Sequence, residues 1–264
     1  GAGCHDYSVS KQSFIETFTQ RDRKEGIDVL WVIDDSATMY EEQDLLIASA
    51  DAFIGFVANS GVDFQLGVVS TDMDRSPGVL RGDVMTQDTS DLVDVFNDPI
   101  ESSSAGSRDE RGFDAAMAAA DPDRADGFAR KTADLEVVVF SDEDDHSTTE
   151  PDDFVKTLRD QRKGDVKVHA VVGDPPAGCV SALAAADAGT KYLKAQNKSD
   201  GRRESICVED YGDMLARVAL DVVGLDTIFA LSKVPEVKTI QVWVDGVVVH
   251  ERKEDGWSYY AGDN

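Results

Sequence analysis

The stretch "IDVLWVIDDSAT" at residues 27–38 joins an apolar run to a cluster of acidic and hydroxyl side chains. Its first part, 27–33, is almost continuously apolar, which is typical of a strand that is buried on both faces of a sheet. Such a polar cluster after a strand can cap a helix, act in phosphate transfer or hold a metal ion. The side chains of the cluster offer only oxygen atoms, and they are Asp34, Asp35, Ser36 and Thr38.

Apolar strands alternate with amphipathic helices along most of the chain. This alternation, with short connections, predicts an α/β fold in which helices flank a doubly wound, mostly parallel central sheet. Strands are predicted at 27–33, 62–70, 78–82, 135–141, 166–173 and 205–208. Helices are predicted at 41–61, 90–96, 112–121, 151–162, 181–197 and 209–223.

The sequence predicts three parts of different character. Residues 1–25 are polar and aperiodic and are expected to be a tether, whereas 26–224 carry the α/β pattern. In 225–264 the pattern changes to short β-strand signals, with Asp245-Gly246 as a hairpin turn. This last part is interpreted as a small β appendage.

The composition is strongly acidic. The 264 residues include 26 Lys and Arg against 52 Asp and Glu, which gives a formal net charge of −26. Nucleic acid and anionic membrane surfaces would repel such a protein, so neither is an expected partner. No apolar run reaches the roughly 18 residues that a spanning helix needs. The charge instead favours cations or basic partners, although a solvated acidic surface accounts for many of these carboxylates.

Three cysteines indicate where the protein functions. Cys179 and Cys207 are expected to pair if the protein is secreted, and closing that loop would add roughly 3–4 kcal/mol to the stability. The tripeptide "AGC" at 2–4 resembles the end of a bacterial lipobox, in which Cys4 would carry the lipid. The alternative is a tag remnant followed by an exposed cysteine. We expect an exported lipoprotein at the outer membrane or cell surface.

Oxygen-rich loops follow three of the predicted elements. Residues 34–38 come after the first strand, Ser107 lies before an Ala-rich helix, and Asp142 directly follows the strand 135–141. In open α/β sheets, ligands bind at the carboxyl ends of the strands. We therefore expect these three loops to meet at one edge of the sheet.

At these positions the chain resembles the von Willebrand factor A (VWA) family, whose metal-ion-dependent adhesion site combines D-x-S-x-S/T, a Thr and a later Asp. Asp34, Ser36 and Thr38 match the first element, and Asp142 matches the last. Ser107 stands five residues before the helix-opening glycine, where the family has Thr. The resemblance covers about residues 26–224, and VWA-type lipoproteins of Gram-negative bacteria are similar also in the β tail.

The resemblance implies a Mg²⁺ site, with Ca²⁺ or Mn²⁺ as alternatives. Hard divalent cations take oxygen ligands and keep exchangeable positions. Two carboxylates nearly balance the charge of the ion, so an open position can accept an acidic side chain from a protein or peptide partner. The implied function is therefore binding or adhesion, not catalysis. The implied ligands are Asp34, Ser36, Thr38, Ser107 and Asp142.

Further acidic residues near these loops are candidates for an outer shell or a second cation, and a solvated loop is the alternative for each. If Asp35, Glu143 or Asp144 entered the first shell, the carboxylate of a partner would be repelled. A metal that only stabilises a surface protein would then be favoured. The candidates are Asp35, Asp72, Asp74, Glu143 and Asp144.

An enzyme of the haloacid-dehalogenase type is the other alternative. Those phosphatases place D-x-D-x-T after the first strand, so that Asp34 would be the nucleophile. The second Asp of that motif is replaced here by Ser36, which removes the general acid.

The tripeptide Arg81-Gly82-Asp83 mimics an integrin-recognition sequence, but so short a match arises often by chance.

Overall fold

The apolar stretch at the start of 27–38 is the central strand of a six-stranded sheet in the computed structural model. β1 (Gly26–Ile33) pairs in parallel with β2 (Asp63–Ser70) on one side and with β4 (Asp134–Ser141) on the other. The remaining strands of the sheet are β3 (Leu80–Thr86), β5 (Val166–Val172) and β8 (Arg203–Ser205). The order is β3-β2-β1-β4-β5-β8, and β3 is antiparallel to its neighbour while the other pairs are parallel.

The structure describes a large part of the chain in two compact units. The described residues are 14–19, 26–101, 109–124, 128–225, 229, 231–252 and 257–259. One unit spans Gln20–Asp226, and the other combines Gly1–Thr19 with Thr227–Asn264. The domain boundaries expected from the sequence stay a prediction.

Helices cover both faces of the sheet. One buried cluster joins Trp31 to side chains of α1, α2 and α6, and a second joins Leu30 to side chains of α3, α4 and α5. The helices are α1 (Tyr40–Asn59), α2 (Leu92–Glu101), α3 (Gly112–Ala119), α4 (Pro151–Asp160), α5 (Thr190–Ser199) and α6 (Tyr211–Val222). The predicted doubly wound α/β fold is therefore confirmed.

The alternation of side chains along β1 explains why its sequence is apolar throughout. Successive residues of a strand point to opposite faces. Trp31 packs edge-on against Phe53 and Phe96, with ring centroids 5.0 and 5.5 Å away, whereas Leu30 and Val32 belong to the opposite cluster. Both faces of β1 are thus buried, as the pattern predicts for a central strand.

One predicted helix is wrong in its first half. Residues 181–197 carry a helical pattern, but the helix begins only at Thr190. Before it lies a two-stranded antiparallel ribbon formed by β6 (Cys179–Val180) and β7 (Ala185–Ala186). The disulfide and the pairing of the ribbon override the local helix propensity of its alanines.

Other element boundaries shift by a few residues. The third strand was predicted at 78–82 but extends to Thr86, because Met85 and Thr86 pair with the neighbouring β2. The second helix was predicted at 90–96 and runs to Glu101. No helix among the described residues is long and apolar enough to cross a membrane.

The predicted disulfide is confirmed. Cys179 and Cys207 are bonded, with their Cα atoms 6.1 Å apart. The bond joins the start of the ribbon to the segment that follows β8. It therefore holds the ribbon at the carboxyl end of the sheet.

The second unit contains a β hairpin. β9 (Val242–Val244) and β10 (Val247–Val249) pair antiparallel around Asp245 and Gly246, which both have positive φ. This two-residue turn confirms the predicted hairpin. A strand is also expected from the apolar residues at 227–232, but none occurs at the described residues of that segment. Phe229 instead packs against Phe18, with ring centroids 5.2 Å apart.

We predict that removal of the disulfide destabilises the larger unit. Because the bond closes a loop with a sequence separation of 28, the chain-entropy estimate gives a loss of about 3–4 kcal/mol. Urea unfolding of the double variant Cys179→Ser/Cys207→Ser measures this loss against wild type. Cys4→Ser serves as the control and should unfold like wild type. A loss below about 1 kcal/mol would contradict the prediction.

Candidate functional site

The first and last sequence motifs meet at the carboxyl edge of the sheet. Because β1 and β4 are adjacent and parallel, the residues that follow them emerge side by side. Asp34 and Asp142 are both buried, at 0% and 5% exposure, and the negative charge of Asp34 raises the pKa of Asp142. The predicted pairing of the two loops is present in the structure.

The loop after β1 supplies two hydroxyl groups to the same point. The Ser36 and Thr38 hydroxyl oxygens lie 2.9 Å apart, and Thr38 and Asp142 line the same groove. Ser36 precedes a short 3₁₀ turn (Ala37–Met39) without a side-chain capping bond. Helix capping therefore does not explain Ser36. The structure brings together four of the predicted ligands: Asp34, Ser36, Thr38 and Asp142.

Asp34 is held in place by two hydrogen bonds. Its Oδ1 accepts from the Ser36 backbone N–H at 2.8 Å, and its Oδ2 accepts from the Ser141 hydroxyl at 2.6 Å. The Gln43 side chain donates to the Asp34 carbonyl oxygen at 2.8 Å. A carboxylate that is fully buried and engaged at both oxygens is poorly placed for in-line attack on a phosphate. The phosphatase alternative therefore gains no support from the geometry.

The predicted middle ligand, Ser107, lies outside the described residues. Glu110, two residues before Gly112 in the same loop, lies in the described part and is completely buried. Its Oε2 accepts a hydrogen bond from the Thr71 hydroxyl at the end of β2. Glu110 is not predicted as a site residue from the sequence, because a glutamate in a charged loop is typical of a solvated surface. The only signal in the sequence was its place just before the helix.

Burial and mutual repulsion raise the pKa values of these carboxyl groups. Burial, followed by the charge of Asp34, raises the pKa of Asp142 to about 7. The same two causes raise the pKa of Glu110 to about 8, with smaller contributions from Asp35 and Glu143. Burial also raises the pKa of Asp34. Without a bound cation, the negative charges of these carboxyl groups are therefore poorly compensated.

Several buried carboxylate oxygens of this region have no hydrogen-bond partner in the described part of the chain. Buried polar atoms in native proteins are nearly always paired, so a cluster of exceptions indicates a missing binding partner. The lone pairs of hydroxyl and carboxylate oxygens suit a divalent cation. The unpaired atoms are Asp35 Oδ1, Glu42 Oε2, Glu110 Oε1 and Asp142 Oδ1.

The donor set is not a cage of acidic or nitrogen ligands. No group of three or more His, Cys, Asp or Glu side chains is arranged to hold a metal among the residues that the structure describes. The four clustered donors instead comprise two carboxylates and two hydroxyls. These residues fit a divalent cation with exchangeable positions better than a closed structural site.

Asp35 forms an ion pair with Arg81, the arginine of the Arg-Gly-Asp tripeptide. Arg81, within β3, donates to Asp35 Oδ2. The arginine of the tripeptide is therefore committed to an internal ion pair. Asp35 therefore has one oxygen paired with β3, while its Oδ1 has no partner in the described part of the chain.

Asp72 and Asp74, two further candidates for an outer shell or a second cation, lie in the turn after β2 and form contacts within the protein. The buried Asp72 accepts from the backbone N–H groups of Asp74 and Arg75, at 2.9 and 3.1 Å, and so shapes its own turn. Asp74 is exposed and pairs with Arg111 at 2.8 Å. Neither arrangement indicates a second cation.

The acidic loop after β4 divides its carboxylates between two roles. Asp144 accepts from the Lys191 backbone N–H at 2.8 Å, and Asp145 accepts from the Phe113 backbone N–H at 3.0 Å. These bonds anchor the loop to the first turns of α5 and α3. Glu143 is half-buried, and burial and Asp34 raise its pKa. Of the predicted outer-shell residues in this loop, only Glu143 is left near the cluster.

A groove beside the cluster opens to the surface. Its volume is about 440 Å³. Thr38, Asp142 and Glu143 line one side, and the disulfide-bonded ribbon with Val180 and Ala185 lines the other. A ligand in this groove would lie directly beside the clustered oxygen donors.

The fold and the loop residues now agree with the family resemblance: a doubly wound sheet carries Asp34, Ser36 and Thr38 after β1 and Asp142 after β4. The chain has a VWA-like fold. No protein-family model matches the sequence, and no curated protein matches it either.

Solved structures include similar chains of low sequence identity. A serine-substituted aerotolerance-related membrane protein from Bacteroides fragilis is 14% identical, with 75% of this chain and 98% of that chain covered and a TM-score of 0.45. A von Willebrand factor type A protein from Catenulispora acidiphila is 12% identical, with 76% and 42% covered and a TM-score of 0.45. A pilus adhesin from Lactobacillus rhamnosus GG is 11% identical, with 77% and 31% covered and a TM-score of 0.48. This chain thus spans less than half of the last two proteins.

We predict that the cation-free protein with its VWA-like fold loses stability through Glu110 as the pH rises. A raised folded-state pKa favours the protonated native state, so its contribution is complete below about pH 4.5 and disappears as the pH rises through about 8. Between pH 5 and 8, the free energy of unfolding of Glu110→Gln should exceed that of wild type by roughly 1–3 kcal/mol. Urea unfolding in EDTA measures the difference.

The exposed Glu101→Gln is the control for this comparison. Glu101 is exposed at the end of α2, and the free energy of unfolding of this variant should follow that of wild type across the same pH range. An equal pH profile for Glu110→Gln and wild type would contradict the assignment of the shift to Glu110.

Proposed function

We propose that this protein is a binding module that engages a protein or peptide partner through a divalent cation. The observation that carries the proposal is the cluster of buried Asp34, Ser36 and Asp142 with exposed Thr38, in which Asp142 Oδ1 has no partner among the described residues. The ion is Mg²⁺, with Ca²⁺ or Mn²⁺ as alternatives. No catalytic residue is assigned.

The cation would neutralise the repulsion within the cluster and present one open position. Asp34 and Asp142 carry the main negative charge, and the two hydroxyls add neutral donors. An oxygen atom of the partner would complete the coordination, and the family resemblance implies an acidic side chain for this donor. The hydroxyls and carboxylates of this chain thus orient the ion, and the partner decides how the open position is filled.

The groove favours a partner over a purely structural ion. A stabilising ion needs no opening, whereas here Thr38 and Asp142 line a groove that reaches the surface beside the ribbon. Val180 on the ribbon is 83% exposed and offers an apolar contact next to the polar site. Specific binding sites commonly combine a few oriented polar groups with such apolar surface.

We further propose that the protein is exported. The Cys179–Cys207 disulfide supports an oxidising compartment, and the net charge of −26 agrees with a solvated, extracytoplasmic surface. Cys4 lies outside the described residues, so its lipidation stays a prediction. An envelope location would place the groove where it can meet an external partner.

We predict that wild type binds one divalent cation per chain. Titration calorimetry with Mg²⁺, Mn²⁺ and Ca²⁺ should detect binding, and Asp34→Ala and Asp142→Asn should each lower the affinity at least about tenfold because a charged donor is lost. Saturation at about 100 times the dissociation constant should add about 2.7 kcal/mol of stability.

The exposed Asp88→Asn is the matched control, since it removes one carboxylate on a turn after β3. It should bind the ion like wild type. The absence of binding by wild type for all three ions would overturn the site assignment.

We also predict that partner binding depends on the cation. Wild-type protein immobilised with Mg²⁺ should retain an envelope protein or peptide that EDTA elutes, and Asp142→Asn should retain at most a tenth as much. Val180→Ser should weaken retention while it leaves ion binding unchanged, because it removes an exposed apolar side chain of the groove without adding a charge. Retention that is equal with and without the cation would exclude a shared ion.

A further inference from the structure

Glu110 occupies the loop in which the family resemblance implies a neutral hydroxyl donor. Its backbone is fixed from two sides. It pairs with Asp72 in an isolated antiparallel bridge, and its carbonyl oxygen accepts from the His146 N–H at 2.8 Å. The next residue, Arg111, donates its N–H to the Thr71 carbonyl at 3.1 Å. The position of Glu110 is therefore set by the sheet edge and the acidic loop together.

Only one of the two carboxylate oxygens of Glu110 has a hydrogen-bond partner among the described residues. It is 0% exposed, and the Thr71 hydroxyl donates to Oε2. Its Oε1 has no hydrogen-bond partner in the part of the chain that the structure describes. Burial of an ionised carboxylate costs several kcal/mol unless other charges or donors compensate. A single hydroxyl does not supply that compensation.

Glu110 lies beside the end of β1. Thr71, whose hydroxyl donates to Glu110, also donates its backbone N–H to the carbonyl oxygen of Ile33 at 3.2 Å, directly before Asp34. The negative charges of Asp34, Asp35 and Glu143 contribute to the raised pKa of Glu110. The arginine nearest in the chain, Arg111, pairs instead with Asp74 at 2.8 Å. A buried carboxylate with one unpaired oxygen and acidic neighbours is the arrangement that a bound cation relieves.

We propose that Glu110 is the third anionic group of the cation site, where it faces the ion together with Asp34 and Asp142. This inference rests on the proposed function, because it assumes that a cation occupies the cluster. Among the described residues, no group of three or more His, Cys, Asp or Glu side chains is arranged to bind a metal ion directly. Glu110 would therefore act on the ion through its charge and not as a ligand.

The third charge determines which donor a partner can offer. Three carboxylates around a divalent ion leave a net charge of about −1, whereas two leave the site neutral. A carboxylate from a partner would then meet repulsion. The donor that suits the open position is a neutral oxygen, such as a carbonyl, amide or hydroxyl group.

Calorimetry with Ca²⁺ and La³⁺ as probes tests the role of Glu110. The Coulomb free energy between a fixed charge and an ion scales with the charge of the ion. If Glu110→Gln lowers the affinity for Ca²⁺ about tenfold, it should therefore lower that for La³⁺ about thirtyfold. Glu110→Asp keeps the charge and should retain more affinity for both ions than Glu110→Gln.

Glu101→Gln is the matched control, and its affinities should equal those of wild type. Wild-type binding with equal or tighter binding by Glu110→Gln would overturn this inference alone and leave the cation site intact. A charge-independent loss, equal for the two ions and shared by Glu110→Asp, would show a packing role and also overturn it. The absence of binding by wild type would overturn the proposed function as well.

Discussion

The parallel pairing of β1 with β4 is the constraint on which the functional edge of this protein depends. It brings the ends of two fully buried strands together, so that Asp34 and Asp142 emerge at one point with little access to water. Their shared burial raises both pKa values. The sheet thus supplies geometry, and it also creates an electrostatic cost that a cation would offset.

Much of the surrounding structure holds this edge in place. Ser141 and the Ser36 backbone orient Asp34, while Asp144 and Asp145 anchor the acidic loop to α5 and α3. The ribbon is bonded covalently to the segment after β8. A site built on strand ends and anchored loops is preorganised, which lowers the ordering cost when an ion or partner binds.

The strands and the outer two motifs were predictable because their signals are local. An apolar run such as 135–141 specifies a buried strand, and the polar residues directly after it must lie at the strand end. The predicted helix at 181–197 failed for a non-local reason, since pairing and the Cys179–Cys207 bond impose a ribbon on its first half. Glu110 could not be predicted because its burial depends on contacts with Thr71 and Asp72, which are distant in sequence.

The sequence by itself determined the α/β class, the central strand, the disulfide pair and the residues that meet at the end of β1 and β4. Periodicity and composition carry this information, because they act over a few neighbouring residues. Only the tertiary structure decided which acidic residues are buried and which oxygens lack partners. It pairs Asp35 with Arg81 and buries Glu110 against Thr71. The physical reason is that burial and charge proximity arise from packing between segments far apart in the chain.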